Sequence, residues 1–408
     1  MRVLLIHQNF PGQFLPLAEA LLKRGHQVVG IGSADAPRQR LAVRYVSCGG
    51  NPNTEQRHGS AERRHLAQMA QGRRVAKVLA YLAREPWIPN LIFGHPAWGD
   101  LLFLDTIFPA LPLVALMEFD PLGVDLGRLD PPLTEAEINS QRADQALRSW
   151  TDLVAARRMV AGLTATHFQR DTYPLWLRGR IQVMHEGVDS RRCQPDPLAR
   201  LALPNGPVLR AGDPVISFSA RFLEPLRGFL QLMRAIPMVQ RALPQVRFLI
   251  VGREAGPGYG PGPPGGVTWK ARILKELAGV LDLERIHFCG LLPHAQLVRL
   301  FQLTTAHVYL SYPYVLSWSL LEAMASGALV IGSNTPAVRE VLEPQTNGLL
   351  VELGDAQALG RQLIAVLRHP AAYQSLRMAA RRTVLHHYER EACMERQISW
   401  LNQLATAP

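Results

Sequence analysis

Short apolar runs alternate with amphipathic stretches along most of this chain. The first run is Val3 to Ile6, and Phe14, Leu17, Leu21 and Leu22 follow at helical spacing as far as Gly25. A second apolar run, Val28 to Ile31, comes at once. Strand, helix and strand in such close succession predict a βαβ unit, whose parallel strands need helices over both faces of the sheet. Further runs at Leu91 to Phe93, Leu113 to Met117 and Ile181 to Met184 alternate with helical patterns. The first half therefore predicts one doubly wound domain.

The pattern lapses over residues 191–214, where RRCQPDPLARLALPNGPVLRAGDP is rich in Pro, Gly and Arg. Weak periodicity there predicts a domain linker. Beyond it, strands are predicted at Val215 to Phe218, Phe248 to Val251, Ile286 to Phe288, His307 to Leu310, Leu329 to Ile331 and Leu349 to Val351. Helices interleave from Phe229, near Lys270 to Val280, and at Ala295 to Gln302 and Trp318 to Ala325. Two consecutive Rossmann-like domains account for this better than one very large sheet. The expected division is 1–195, 196–388, and a last helix, 389–408, returning to the first domain. Ala255 to Gly266 (AGPGYGPGPPGG) follows a strand. It reads as a disordered loop or as a mobile active-site loop, since open α/β sheets bind ligands at the carboxyl ends of their strands.

Composition narrows the classes. Of 408 residues, 48% are hydrophobic and 19% charged, a balance that buries large cores and argues against disorder. Cys48, Cys193, Cys289 and Cys393 show neither a CxxC nor a Cys/His spacing. That argues against a disulfide framework or a zinc site and fits a reducing cytoplasm. The first residues lack the apolar length of a signal peptide, and Leu101 to Met117 is broken by Asp105, Pro109 and Pro112. A soluble or peripherally attached protein is expected. A net charge of +11 with a pI near 9.9 points to anionic partners. Basic residues are not interleaved with aromatics as nucleic-acid modules require, so an anionic ligand and an acidic membrane surface rank ahead of nucleic acid. The stretch Gly59 to Glu85 places Arg63, Arg64, Arg73, Arg74 and Lys77 among Leu66, Met69, Val75, Val78, Leu79 and Leu82. It reads as an ordinary amphipathic helix or as one lying against an anionic bilayer.

The chemistry concentrates in Ser311 to Val351. Tyr312, Pro313 and Tyr314 end a strand, and Ser317, Trp318 and Ser319 open a helix whose unpaired N–H groups and positive dipole end favour a phosphate. Glu322, about one turn in, can accept hydrogen bonds from vicinal ribose hydroxyls. Its neighbours Leu320, Leu321 and Met324 imply burial, and a buried carboxylate needs partners.

These elements, with LLEAMASG (Leu320 to Gly327), Pro336 to Val341 and Asn347-Gly348-Leu349, resemble the signature of glycosyltransferase family four. The resemblance implies an α/β GT-B fold, two Rossmann-like domains facing a central cleft, and a retaining, metal-independent transfer. The donor would be a nucleoside-diphosphate sugar, UDP- or GDP-linked, with no cofactor. The acceptor would be a glycan or lipid-linked acceptor of cell-surface polysaccharide or glycolipid synthesis. The segment Ser219 to Phe229 resembles the family's Gly-Arg…Lys-Gly stretch, so Arg221 and Arg227 would stabilise charge on the leaving diphosphate. Arg253 and the backbone near Leu292 would meet the base. In the first domain Gly12 would approach the donor phosphates. His95 would sit near the anomeric centre, Trp98 would stack on a sugar or anchor the turn, and Glu118 is an acceptor-side candidate, as is Asp120. His185 to Asp189 resembles the family's Asn-Gly-Val-Asp turn.

One departure stands out. Where the family carries its first Glu, eight positions before Glu322, this chain has Tyr314. A phenol hydrogen-bonds sugar hydroxyls without bringing charge. This substitution keeps a non-catalytic sugar-nucleotide-binding protein or partner subunit in view, beside a GT-B epimerase. A phosphorylase lacks a marked pyridoxal lysine, and an oxidoreductase lacks GxGxxG in the first turn.

Overall fold

The computed structural model describes residues 1–34, 41–50, 61–123, 130, 132–203, 206–256, 258–260 and 262–406. It divides into two compact units. The first comprises Met1–Val124, Thr134–Gly187 and Arg390–Pro408, and the second Asp125–Leu133 and Val188–Glu389.

The first unit holds β1 (Arg2–Ile6), β2 (Gln27–Gly32), β3 (Arg44–Ser47), β4 (Leu91–Gly94), β5 (Leu113–Leu116), β6 (Ala161–Thr164) and β7 (Ile181–Val183). They form a parallel sheet in the order β3-β2-β1-β4-β5-β6-β7. Alternation along β1 shows why helices cover both faces. Val3 and Leu5 enter one core with Phe14, Leu17 and Leu21, while Leu4 and Ile6 enter another with Val75, Leu79 and Leu82. The helix Arg390–Thr406 closes the first of these cores with Cys393, Met394, Ile398 and Leu401.

The second unit opens with an antiparallel pair, β8 (Arg200–Ala202) and β9 (Val208–Arg210). There follow β10 (Val215–Phe222), β11 (Arg247–Arg253), β12 (Ile286–Gly290), β13 (Ala306–Tyr309), β14 (Leu329–Ser333) and β15 (Leu349–Val351). These give a second parallel sheet, β12-β11-β10-β13-β14-β15. Here too the faces alternate: Phe248 and Ile250 of β11 belong to one core, Leu249 and Val251 to the other.

The two doubly wound domains expected from the pattern are present. The structure differs at three places. Strands β3 and β6 were not read from the sequence, because Arg44–Ser47 is partly exposed and Ala161–Thr164 is a short run of small residues. The stretch 191–214 is not a bare linker, since it carries β8 and β9, with Leu201 and Leu209 buried. Pro204 and Asn205 of that stretch, Gly59 and Ser60 of the basic helix, and Pro257 and Pro261 of the Gly/Pro loop lie outside the described residues. The division also falls earlier than 195/196, after Gly187. Val188 already bridges to Glu389, and its N–H bonds to the Tyr388 carbonyl.

Candidate functional site

In the second unit, Arg221, Arg227 and Ser317 line one open pocket of about 60 Å³ together with Phe218, Ser219, Ala220, Tyr259, Tyr309 and Leu310. The carboxyl end of β10 supplies Arg221. Arg227 follows on a short 3-10 turn that must reverse at Gly228. Gly228 has φ +70, and a Cβ there would lie 2.2 Å from that of Leu310, so only glycine fits. The Arg227 guanidinium donates to Ser311 Oγ (2.9 Å) and to the Val315 carbonyl (3.1 Å). It also lies over the rings of Tyr259 and Tyr314, at 5.4 and 5.1 Å. Such a cation is held in place before any anion arrives. Arg221, more exposed, reaches the Tyr259 hydroxyl at 3.5 Å.

Tyr259 is the residue of the Gly/Pro stretch that enters this site, and Glu224 holds it there. The buried Glu224 carboxylate accepts from the backbone N–H of Tyr259 (2.8 Å) and Gly260 (3.1 Å). Burial raises its pKa despite those bonds. Tyr314 and Tyr259 contact each other, ring centroids 5.4 Å apart. Neither Tyr259 nor Glu224 was singled out from the sequence, because a tyrosine in a low-complexity run carries no periodic signal.

The helix Trp318–Ala325 begins beside this pocket. Ser317 is its N-cap, accepting from Ser319 N–H, and its own amide donates to the Tyr309 hydroxyl at 2.8 Å. Trp318 and Ser319 are half-buried. Glu322 is buried, 6% exposed, and Oε1 lies 2.7 Å from Nε2 of His294 at the start of the helix His294–Leu303. No motif marks this histidine in the sequence. Arg253 is exposed at the end of β11, and half-buried Leu292 packs against the core that holds Leu249, Val251 and Leu300. Neither lines the pocket around Arg227.

In the first unit, Gly12, His95, Trp98 and Glu118 come together around His7, at the carboxyl ends of β1, β4 and β5. The Ala97 N–H donates to Nδ1 of His95 (3.1 Å), which leaves the proton on Nε2, 3.3 Å from Glu118 Oε2. Gln13 donates to the other oxygen of Glu118 at 2.5 Å. Burial would raise the Glu118 carboxyl, but the hydrogen bonds from His95 and Gln13 outweigh it, and its pKa is lowered. Glu118 is thus a fixed carboxylate that orients His95.

His7 packs edge-on to Trp98, centroids 4.7 Å apart, and Trp98 lies 4.2 Å from His95. Gly12, at φ +50, is required because a Cβ would lie 2.4 Å from the His7 ring. Burial, reinforced by His95, lowers the His7 pKa to about 3, so this imidazole is neutral. Sequence reasoning missed His7, which sits one residue past an apolar strand with no motif around it. Asp120 faces elsewhere, accepting from Ser149 Oγ at 3.0 Å.

Two family descriptions match the chain: "Glycosyl transferase family 4 group" over residues 24–193 and "Glycosyl transferases group 1" over residues 213–369. A D-inositol 3-phosphate glycosyltransferase of Nocardia farcinica is 28% identical over 213 residues, 48% of this chain and 45% of the relative. A phosphatidyl-myo-inositol mannosyltransferase of Mycobacterium leprae is 34% identical over 164 residues, 39% of this chain and 38% of the relative. The matched stretches span less than half of either. Among solved structures, a sucrose-phosphate synthase from Thermosynechococcus elongatus superposes with a TM-score of 0.75 at 19% identity, covering 100% of both chains. Anabaena HepE in complex with UDP-glucose gives 0.66 at 16% identity, covering 99% of this chain and 100% of that one. The shared fold is GT-B.

Proposed function

Because the chain belongs to the group 1 and family 4 glycosyl transferases, we propose that it moves a sugar from a nucleoside-diphosphate sugar to a glycan or lipid-linked acceptor, with retention and without a metal in the transfer step. The observation that carries this reading is the convergence of Arg221, Arg227 and the Ser317 helix start on one pocket. Two guanidinium groups beside a positive helix end suit a diphosphate that gains charge as its bond to the sugar breaks. Glu322 takes the ribose hydroxyls, with His294 anchoring one of its oxygens.

In the transfer step the bond from the anomeric carbon to the phosphate oxygen breaks and a bond to the acceptor oxygen forms on the same face. The acceptor proton passes to the departing phosphate. His95, whose ring nitrogens are taken up by the Ala97 N–H and Glu118, and Trp98 beside it offer an aromatic surface for the C–H face of a sugar. Complexes of neighbours with UDP-glucose, and inositol-linked acceptors in the names of curated relatives, are consistent with this donor and acceptor class. No helix among the described residues is long and apolar enough to cross a membrane. A face of the helix Ala61–Leu82 suits the headgroups of an anionic bilayer, carrying exposed Arg63, Leu66, Arg73, Lys77 and Tyr81.

Glu322→Ala tests the donor site. Losing two hydrogen bonds to a charged acceptor costs about 3 kcal/mol or more, a hundredfold or greater rise in the Kd of the nucleoside diphosphate found best in a donor panel. Calorimetry showing a change of only a few-fold would remove Glu322 from the site. Arg227→Ala is expected to lower kcat by more than it raises the donor Kd, because the charge it meets grows toward the transition state. Transfer should persist in EDTA, and a strict need for added manganese or magnesium would contradict the metal-free step.

A further inference from the structure

The scattered cysteines show no metal-binding spacing along the sequence, yet folding builds one in space. Cys193, His294 and Glu322 each present a ligand atom, Sγ, a ring nitrogen and a carboxylate oxygen, all within 4.8 Å of one another. They come from three separate parts of the second unit: the turn before β8, the first residue of the helix His294–Leu303 and the middle of the helix Trp318–Ala325. Cys193 and Glu322 are buried, at 1% and 6% exposure, while the more exposed His294 stands at the mouth. Arg381 braces the arrangement by donating to the carbonyls of both Cys193 and Ala325, so that two of the three ligand-bearing segments are tied by one guanidinium.

We propose that Cys193, His294 and Glu322 bind a zinc ion, and that the bound metal excludes the donor's ribose from Glu322. One thiolate, one imidazole and one carboxylate form a mixed S, N, O set suited to zinc, whereas magnesium and calcium take oxygen ligands. Zinc bonds of about 2.0 to 2.3 Å put neighbouring tetrahedral ligand atoms roughly 3 to 4 Å apart, so the trio closes with small side-chain rotations. Binding releases the thiol proton, and the carboxylate oxygen now facing His294 turns to the metal. Three protein ligands leave a fourth position for water, as in exchangeable rather than structural sites. The exclusion half of the proposal rests on Glu322 being the ribose carboxylate, and the site itself does not. Zinc would then inhibit transfer without taking part in it.

The test is cobalt and zinc titration of the full chain, comparing wild type with Cys193→Ser and His294→Gln, with thermal melting to confirm that each variant is folded. One equivalent of cobalt should give the intense near-ultraviolet band of a cobalt–thiolate bond and the visible bands of a tetrahedral site. Zinc should displace it. Cys193→Ser should lose the thiolate band, and each variant should bind more than about tenfold more weakly. Absence of stoichiometric binding, or a thiolate band that survives in Cys193→Ser, would overturn the site. Zinc should also weaken nucleoside-diphosphate binding more in wild type than in Cys193→Ser, which corrects for chelation of zinc by the nucleotide in solution. If the cobalt signature is present and that difference is absent, the metal site stands, the exclusion fails, and the ribose assignment of Glu322 fails with it.

Discussion

The tyrosine at position 314 sets the surroundings of one arginine. Its ring lies over the Arg227 guanidinium and against Tyr259. A glutamate there would add a second carboxylate near Arg227, which already interacts electrostatically with Glu224, while a phenol adds no charge. Tyr314→Phe keeps the ring face and removes only the hydroxyl. It is expected to change discrimination among donor sugars by about 0.5 to 1.5 kcal/mol while nucleoside-diphosphate affinity stays nearly constant. Tyr314→Glu should weaken nucleoside-diphosphate binding by neutralising Arg227. Unchanged kinetics for both variants across several donors would show that sugar recognition does not involve this position.

His7 has a different signature, visible in stability. Its folded pKa of about 3 lies below its unfolded value near 6.5, so between those limits the unfolded chain binds the extra proton. Stability from this group is complete above about pH 6.5 and is lost as pH falls toward 3, at up to about 1.4 kcal/mol per pH unit. His307, buried on strand β13 and also lowered to about 3, acts in the same direction, whereas Asp100, raised to about 6 by burial, acts in the opposite one as pH drops through its range. The melting temperature of His7→Gln should therefore fall less steeply with acid than that of wild type. Parallel curves would show that His7 can accept a proton in the folded state.

Elements with a period were legible in the sequence, and elements without one were not. The helix Trp318–Ala325 and strands β1, β4 and β10 follow from runs of Leu, Val, Ile and Phe flanked by polar turns. Strand β6, built from Ala, Gly, Leu and Thr, has too little apolar contrast, and β8 and β9 hide within a Pro- and Arg-rich stretch. The same holds for the site. Arg221, Arg227, Ser317 and Glu322 stand in spaced motifs, while His294, Cys193, Tyr259 and His7 acquire meaning only when distant segments meet. The helix Ala61–Leu82 is an intermediate case, since pattern alone left its outer face undecided. Arg63, Leu66, Arg73, Lys77 and Tyr81 recur along one side of it and are all exposed, Leu66 to 64%. If that side meets an anionic bilayer, replacing Arg63, Arg73 and Lys77 by Glu should cost about 3 kcal/mol or more of vesicle binding, at roughly 1 kcal/mol per basic residue. Co-sedimentation with vesicles rich in anionic lipid, but not with neutral ones, is the measurement. Equal pelleting of the triple variant and wild type would refute the contact.

At the scale of the whole molecule, each unit has the sheet order of a doubly wound domain, and the chain returns to the first after completing the second. The core under β1 is finished only by Cys393, Met394, Ile398 and Leu401, which come from the far end of the described sequence. A ribosome makes residues 1–187 first, then all of 188–389, and only afterwards the helix that covers Val3, Leu5 and Leu17. Through that interval the nascent first unit carries an open apolar face, the kind of surface that aggregates or recruits chaperones. Among the described residues, the second unit takes no segment from beyond Glu389 and is free to fold as it emerges. The order of completion thus reverses the order of synthesis, and the unit begun first is the last to be finished.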